Sequence, residues 1–399
     1  MRRFWFAWLV LLAIPVGFGG HSVSLWTHIG VATVACLSYQ LLWGQGGMLS
    51  FGQAVYTGAG AYVAIHLMRG IAQGWPIPMV LVPLFAALAT AGLAWVLGGI
   101  STRRSGAPLA MITLGLGELA WALAPLFPAV FGGEAGFSAD RTTGPHALGW
   151  SGQTPLQMYV LVMVYLCICL WALHRLRQTP LGLYLRAARE QSSRLAHIGP
   201  DPHRVRWTAF VMAGAVAGLA GGLSALVFEI VTPEAFNPVR SGELLVFTVL
   251  GGSRHLAGAV LGGALMVLTH TTLAQWTPAS GLYLGVLFMV LVMQAPQGLA
   301  GLVVQHVGQW REGFWVRPTV GAALRLGAAW GAVVGLGVLV EMAYQHQSLS
   351  TSGPLLNLPF LSLDITQSLH WAGVVAWTLV WAGVWELSRR RRLQTRQQS

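Results

Sequence analysis

The chain has 399 residues, 55% of them hydrophobic and only 9% charged, with 50 glycines and a mean hydropathy of +0.62. Soluble domains carry about 25% charged residues, so this composition excludes an ordinary soluble fold and describes a protein that crosses a bilayer many times. The formal charge of +11 rests on 23 basic residues, all of them arginine. They sit at the ends of apolar runs and in one loop, which fits cytoplasmic loop enrichment and contact with membrane lipid and excludes a nucleic-acid-binding face.

A bilayer core of about 30 Å needs about 20 helical residues. Apolar runs suited to that length cover 4–19, 25–43, 49–68, 77–100, 107–130, 155–176, 207–231, 256–275, 280–303, 319–343 and 369–387. They are too long for barrel strands of about 10 residues and lack period-2 alternation. The expected fold is all-α, a polytopic integral membrane helical bundle with about 10–11 transmembrane helices and broken or re-entrant glycine-rich segments.

The run 4–19 follows Arg2 and Arg3 in the manner of a signal peptide. Its exit, Phe18-Gly19-Gly20-His21, offers no small-x-small cleavage site, and it is expected to remain as the first helix. The positive-inside rule then places the N-terminus, the arginines at 103, 104, 175, 177 and 186–206, and the arginine-rich C-terminus in the cytoplasm, with the loop 132–154 outside. Parity becomes ambiguous after residue 231. The segment 242–252 is too short to cross at about 1.5 Å per residue, so it either pairs with a broken helix or re-enters.

Two glycine-dense segments interrupt the helices: Gly44-Gln45-Gly46-Gly47-Met48-Leu49-Ser50-Phe51-Gly52-Gln53, and 249–258 with Gly251-Gly252 at its centre. Each reads as a glycine pair, a short spacer, a glycine and a small-residue helix, the form of an internal repeat with paired broken helices. Two readings stand. The glycines permit close helix packing, or they pack and also line a pathway, since irregular backbone at membrane depth survives only inside protein or beside a water-filled cavity. In the second reading the pathway candidates are Gly46, Gly47, Ser50, Gln53, Gly251 and Gly252.

Glu118 joins them because an acid within the 107–130 run costs about 2.5 kcal/mol or more; the alternative is a packing role through a hydrogen bond to a small polar neighbour such as Thr113. Glu229 and Glu234, near the outer end of the 207–231 run, are expected to face a soluble partner. Glu341, His66 and His270 show no constellation. Cys36, Cys167 and Cys169 lie in apolar runs, and residues two apart point about 200° away from each other on a helix, so free thiols are expected rather than a metal site. No nucleophile elbow, zinc spacing or paired carboxylates occur in the sequence. The expectation is no enzyme, no cofactor and no metal.

The one long polar, arginine-bearing island spans 181–199. Helical spacing of Leu181, Tyr184, Leu185, Ala188, Leu195 and Ile198 produces an apolar stripe, with Arg186, Arg189, Glu190 and Arg194 beside it and Gly182 and Gly199 as bounds. The alternative is a solvated basic loop near lipid headgroups. A chain without lysine also has no Walker lysine for nucleotide phosphates, so any ATP-driven work falls to a partner.

Trp43 to Ala54, the Ile112-Thr113-Leu114-Gly115-Leu116-Gly117-Glu118 run, 179–199, 209–222, 249–263 and Pro296-Gln297-Gly298-Leu299-Ala300-Gly301 together resemble the permease subunits of branched-chain amino acid ABC importers, in particular the LivM-like branch. Order and spacing match over about residues 25–303. The resemblance implies a permease domain, 1–303, in a bacterial cytoplasmic (inner) membrane, with a coupling loop at about 177–206 whose helix docks in a groove of the ATPase. It implies two ATP-binding cassette subunits, a sister permease in a heterodimer and a periplasmic solute-binding protein as partners, and a branched-chain or related small amino acid as cargo. Gln191-Ser192-Ser193-Arg194 departs from the family's alanine-rich stretch. Residues 304–399 form an extension beyond the usual family end, with two further apolar runs and an outer loop, 345–368, free of basic residues. The contrasting class is a stand-alone secondary transporter or channel. Such proteins place several ionisable groups near the midplane, and by sequence this chain offers mainly Glu118.

Overall fold

The computed structural model describes residues 20–143, 154–273, 280–294, 298–301, 335, 337–343, 346, 355–358, 361–364, 370–381 and 383. The expected helix at 4–19 and the C-terminal arginines lie outside the described residues, as does most of 319–343. The chain divides into two compact units: Met1–Thr271 with Leu287–Gln305, and Thr272–Val286 with His306–Ser399.

The first unit is helical, as expected. Helix α1, Gly20–Tyr39, runs on into one π-helical turn, Gln40–Gln45, and α2, Gln53–Ala72, returns after a seven-residue break. Then come α3 (Val82–Ser101), α4 (Ala107–Leu123), a single turn α5 (Pro128–Phe131), α6 (Pro155–Leu176), α7 (Pro180–Ile198), α8 (Pro202–Phe228), α9 (Pro238–Gly251) and α10 (Leu256–Leu268), the last ending in a second π-helical turn, Thr269–Leu273. Helix α11 is Ser280–Gln294. Five stretches among the described residues are long and apolar enough to cross a bilayer: Ser22–Gln45, Met79–Ser101, Ala107–Leu126, Pro155–Leu176 and Pro202–Phe228. The protein is a multi-pass membrane protein.

Four helices start on one local device, a capping side chain followed by proline at the first helical position: Thr154-Pro155, Thr179-Pro180, Asp201-Pro202 and Asn237-Pro238. The Thr, Asp or Asn oxygen takes an orphan backbone N–H, and proline has none to lose. Asp201 accepts from the His203 amide at 2.9 Å, and Asn237 from that of Val239 at 2.9 Å. This moves the seventh run's start from 207 to Pro202, and it resolves the short segment near 242–252. That segment is α9, 14 residues long, packed against α10 beyond a turn at Gly252 (φ 114°). Both are half-length helices, about 20 Å each at about 1.5 Å per residue.

Helix α8 is the axis of this unit, packed on α1, α2 and α3. Its small residues explain how. Gly214, Gly218 and Gly222, one turn apart, lie against Ala94, Thr90 and Ala86 of α3, while Gly218 and Gly221 meet Gly60 and Thr57 of α2. A methyl group at Gly218 would overlap the Thr90 hydroxyl, and one at Gly222 would stand 2.9 Å from the Ala86 Cβ. With lipid as solvent no hydrophobic force drives helices together, and such backbone approach supplies the packing energy instead. The outward faces of α3, α4 and α6 carry exposed Leu88, Trp95, Met111, Leu119, Val164 and Trp171, as a lipid-facing or subunit-facing surface should.

Two short ladders depart from a purely helical fold. Phe137–Ser138 (β1) pairs antiparallel with Ile230–Val231 (β2), just past the end of α8. In the second unit, within the expected loop 345–368, Leu355–Leu358 (β3) and Leu361–Asp364 (β4) form a hairpin. There, too, Met342 is buried among Val338, Trp371 and Val374, and the Tyr283 hydroxyl donates to the Gly337 carbonyl at 3.0 Å.

Replacing Gly218 with valine should separate α8 from α3 and lower stability by about 1–3 kcal/mol, the usual cost of overpacking. Gly92→Ala, at a helical position with nothing within 4 Å, should leave the melting midpoint in detergent unchanged. Equal midpoints for both variants would refute the packing argument.

Candidate transport pathway and docking helix

The predicted docking island is helix α7, and the apolar stripe is real, but its direction differs from the expectation of a surface held by a partner. Leu185 is 0% exposed and Leu195 1%, buried within the chain itself. Leu185 lines one small pocket with Leu41 of the π-helical turn and with Leu173 and Leu176 of α6, and α7 packs on α8 and on that turn. Tyr184, Leu181 and Ala188 are half-buried, while Arg186, Arg189 and Glu190 are exposed. The side chain of Ile198 lies outside the described residues. The residue facing outward is Leu183, 60% exposed. Sequence reading passed over it because it falls off the stripe.

Nor is α7 one straight helix. Gln191 adopts φ −152° and ψ 98°, extended backbone that breaks the helix into two pieces. The break falls on the Gln-Ser-Ser-Arg departure, where serines compete for backbone hydrogen bonds and favour non-helical turns. Gly199 ends α7 with φ 115°, in open space, as a bounding glycine should.

Two arginines tie α7 and its approach to the first glycine segment. Arg189 donates through Nη1 to the Gly44 carbonyl at 2.7 Å, and its stem lies on Gly47, whose φ of 61° and lack of a side chain make room for it. Arg177, at the end of α6, faces Gln45, whose amide oxygen accepts from Nε at 3.0 Å and Nη2 at 2.9 Å. Burial, and then the neighbouring Arg186 charge, pull the Arg177 guanidinium down to about 10, still cationic near neutrality. Arg186 in turn donates to the Arg177 carbonyl at 2.8 Å.

The two glycine segments meet each other. Gly44 lies against the Ser253 carbonyl so closely that no Cβ fits, and Gln40 Nε2 donates to the His255 carbonyl. The first break is also satisfied internally. The Tyr39 hydroxyl donates to the Ser50 carbonyl, Phe51 N–H to the Thr113 hydroxyl at 3.1 Å, and Ala54 N–H to the Ser241 hydroxyl at 2.8 Å. Gln53 donates to the Ser38 hydroxyl at 3.0 Å. Of the pathway candidates, Ser50, Gln53 and Gly251 are buried, Gly251 and Gly252 press on Gly258, and Gly46 and Gly47 pack on Met48 and Arg189. In this conformation they are packed closely against their neighbours, with the Gln40 and Gln53 amide oxygens buried without a partner.

Open space lies elsewhere. A half-open cavity of about 400 Å³ is lined by α1, α2, α8, α9 and α10, with His28, Arg240, Glu243 and His270 on its walls. His270, which has no constellation in the linear sequence, stands 3.6 Å from Glu243, and His28 stacks on Phe228 at 5.0 Å. These four lie far apart in the chain, and the one signal linking any of them is Arg240 and Glu243 three apart on a short helix.

Glu118 lines a different cleft, of about 620 Å³, with Glu134 and Glu234. It makes no bond to Thr113, whose hydroxyl is used by the Leu109 carbonyl and Phe51 N–H. Glu229 is not a free outward acid: with φ 58° it ends α8, accepts from the Arg141 amide at 3.1 Å, and sits 3.6 Å from its guanidinium. Cys36 and Cys169 are buried free thiols, Cys167 is half-buried, and no metal-binding cluster occurs among the described residues.

Interrupted helices that meet one another and a cavity with charged side chains on its walls, within a multi-pass bundle, fit the class of helical membrane permeases. The chain belongs to the family described as branched-chain amino acid transport system / permease component, which matches residues 22–296. It is 27% identical over 312 residues to the high-affinity branched-chain amino acid transport system permease protein LivM of Salmonella typhimurium, covering 73% of this chain and 72% of the relative. LivM of Escherichia coli is 27% identical over 320 residues, with 75% and 74% covered. The probable branched-chain amino acid transport permease protein LivH of Methanocaldococcus jannaschii is 25% identical over 276 residues, with 63% and 83% covered. No solved structure matches the chain.

Arg189→Met keeps the stem on Gly47 but removes the donor to Gly44. A loss of about 1–2 kcal/mol is expected, since hydrogen bonds from charged groups contribute about 1.5–3 kcal/mol and Arg189 is partly solvated. Thermal unfolding of the purified protein checks it, and an unshifted midpoint would show that this bond does not anchor α7.

Proposed function

We propose that this chain is the transmembrane permease of an ATP-binding cassette importer for branched-chain or related small amino acids in a bacterial inner membrane, with α7 on the cytoplasmic side and both termini facing it. Two ATPase subunits, a sister permease and a periplasmic solute-binding protein complete the assembly. Its division of labour suits a lysine-free chain, which lacks Walker machinery of its own.

The observation that carries this reading is the bond from Arg189 to Gly44, reinforced by Arg177 on Gln45. A push on α7 is delivered to the π-helical turn of α1 and, through Gly44 against Ser253, to the α9–α10 turn. Rigid elements with two arrangements transmit coupling this way. The outward side of α7, with Leu183, Arg186 and Glu190, is the surface offered to the ATPase, and the pathway candidates Gly46, Gly47, Ser50, Gln53, Gly251 and Gly252 form the gate that opens. Glu118 takes part from the separate cleft. Residues 304–399 are an extension appended to the permease.

One observation favours a gradient-driven transporter instead. His28, Arg240, Glu243 and His270 place four ionisable groups around one cavity, where the sequence suggested mainly Glu118. Uptake by this chain alone in liposomes, driven by a proton gradient without ATPase, would establish that reading.

Leu183→Asp should weaken co-purification of the ATPase about tenfold or more, since burying a leucine at an interface is worth about 1.5–3 kcal/mol, while membrane insertion stays intact. Leu185→Asp should destabilise the chain itself. Undiminished ATPase capture by Leu183→Asp would remove α7's outer face from the docking role.

A further inference from the structure

We propose that the cavity between α1, α8, α9 and α10 is a binding station for a zwitterionic α-amino acid in transit, with Arg240 receiving the carboxylate and Glu243 the ammonium. This rests on the permease reading above and names the chemistry of its pathway.

Charged side chains on a cavity wall within a membrane protein mark a site by default; here Arg240 is exposed and Glu243 partly so. Arg240 has no ion-pair partner among the described residues, and Glu243 has the His270 imidazole at 3.6 Å, a partner only when protonated. The two lie three residues apart near the start of α9, on one helix face, with Cβ atoms about 5–6 Å apart. A zwitterion brings one charge of each sign, so it compensates both groups without changing the net charge of the cavity. A solute with a single charge leaves one of them uncompensated.

Helix α9 contributes further. It is a half-length helix whose N-terminal turn carries Arg240, and the positive end of a helix dipole favours an anionic group at that turn. Beside Thr57, Ser224 and Thr271, the wall carries Val31, Ala35, Leu244, Val267 and Phe228, an apolar stretch that suits an aliphatic side chain. A volume of about 400 Å³ falls in the range of small-molecule sites, about 300–1,000 Å³. Gly44 against Ser253 closes the α7-proximal ends of α1 and α9, and the cavity lies toward their opposite ends.

Ser224 also lines the cavity, so Ser224→Cys in the full transporter complex can be labelled with a hydrophilic methanethiosulfonate, against the unmodified chain as background. L-leucine at ten times its Kd should slow labelling about tenfold, because about a tenth of the sites stay free. Its singly charged analogues 4-methylpentanoate and 3-methylbutylamine should not protect. Adding Arg240→Gln or Glu243→Gln should abolish protection by leucine, and Arg240→Lys, which keeps the charge, should retain part of it; monodisperse complexes show that the variants fold. Equal protection by the singly charged analogues, or none by leucine, overturns the station. ATP-dependent leucine uptake by the same unsubstituted complex separates the two readings. Uptake without protection at position 224 defeats the station alone, whereas a complex that neither hydrolyses ATP in response to loaded binding protein nor takes up leucine defeats the permease reading.

Discussion

The contact between the two broken segments is the constraint on which the first unit depends. A backbone carbonyl or amide left unpaired at membrane depth costs several kcal/mol, and a helix that breaks at Gly44–Gly52 frees many of them. The chain answers with partners drawn from distant places: Thr113 of α4, Ser241 of α9 and Tyr39 of α1. The His255 carbonyl, in the second break, takes Gln40. Each break is thus completed by other elements, and neither can open without releasing bonds held by its neighbours.

That arrangement explains the placement of the glycines. In α8 they allow two neighbouring helices to approach on different sides, and in the breaks they admit carbonyl oxygens and the Arg189 stem where a Cβ would collide. Close packing is thus what these positions show in the structure. The arginines that join α7 to the first break are bound to backbone and amide oxygens rather than to carboxylates. Such bonds survive changes in salt better than a surface ion pair does.

The helical class, the long spans and the position of α7 were legible because apolar runs and one polar island are local signals. The start of α9 was also written locally, in Asn237-Pro238, but a hydropathy run does not register a cap. Two features were beyond any local reading. Whether Leu185 or Leu183 faces outward depends on which side of α7 meets α8 and the π-helical turn, and the period of the stripe is the same either way. The pairing of His270 with Glu243 joins residues on separate helices, in contact only because α9 and α10 fold back on one another.

The four charged or titratable groups of the cavity change how the polarity of this chain should be weighed. With 9% charged residues, a charged group that lines a cavity without a permanent partner stands out, and Arg240, which is exposed, and Glu243, which is partly exposed, are two such groups. Arg141 and Glu229 show the ordinary solution, an acid and a base bound to each other and to the end of α8. Arg240 and Glu243 are one helical turn apart and are not paired in this way: the guanidinium has no acid partner among the described residues, and the carboxylate has a histidine. A structural role would be served better by the first arrangement. The second leaves both charges available to a solute that carries their complements.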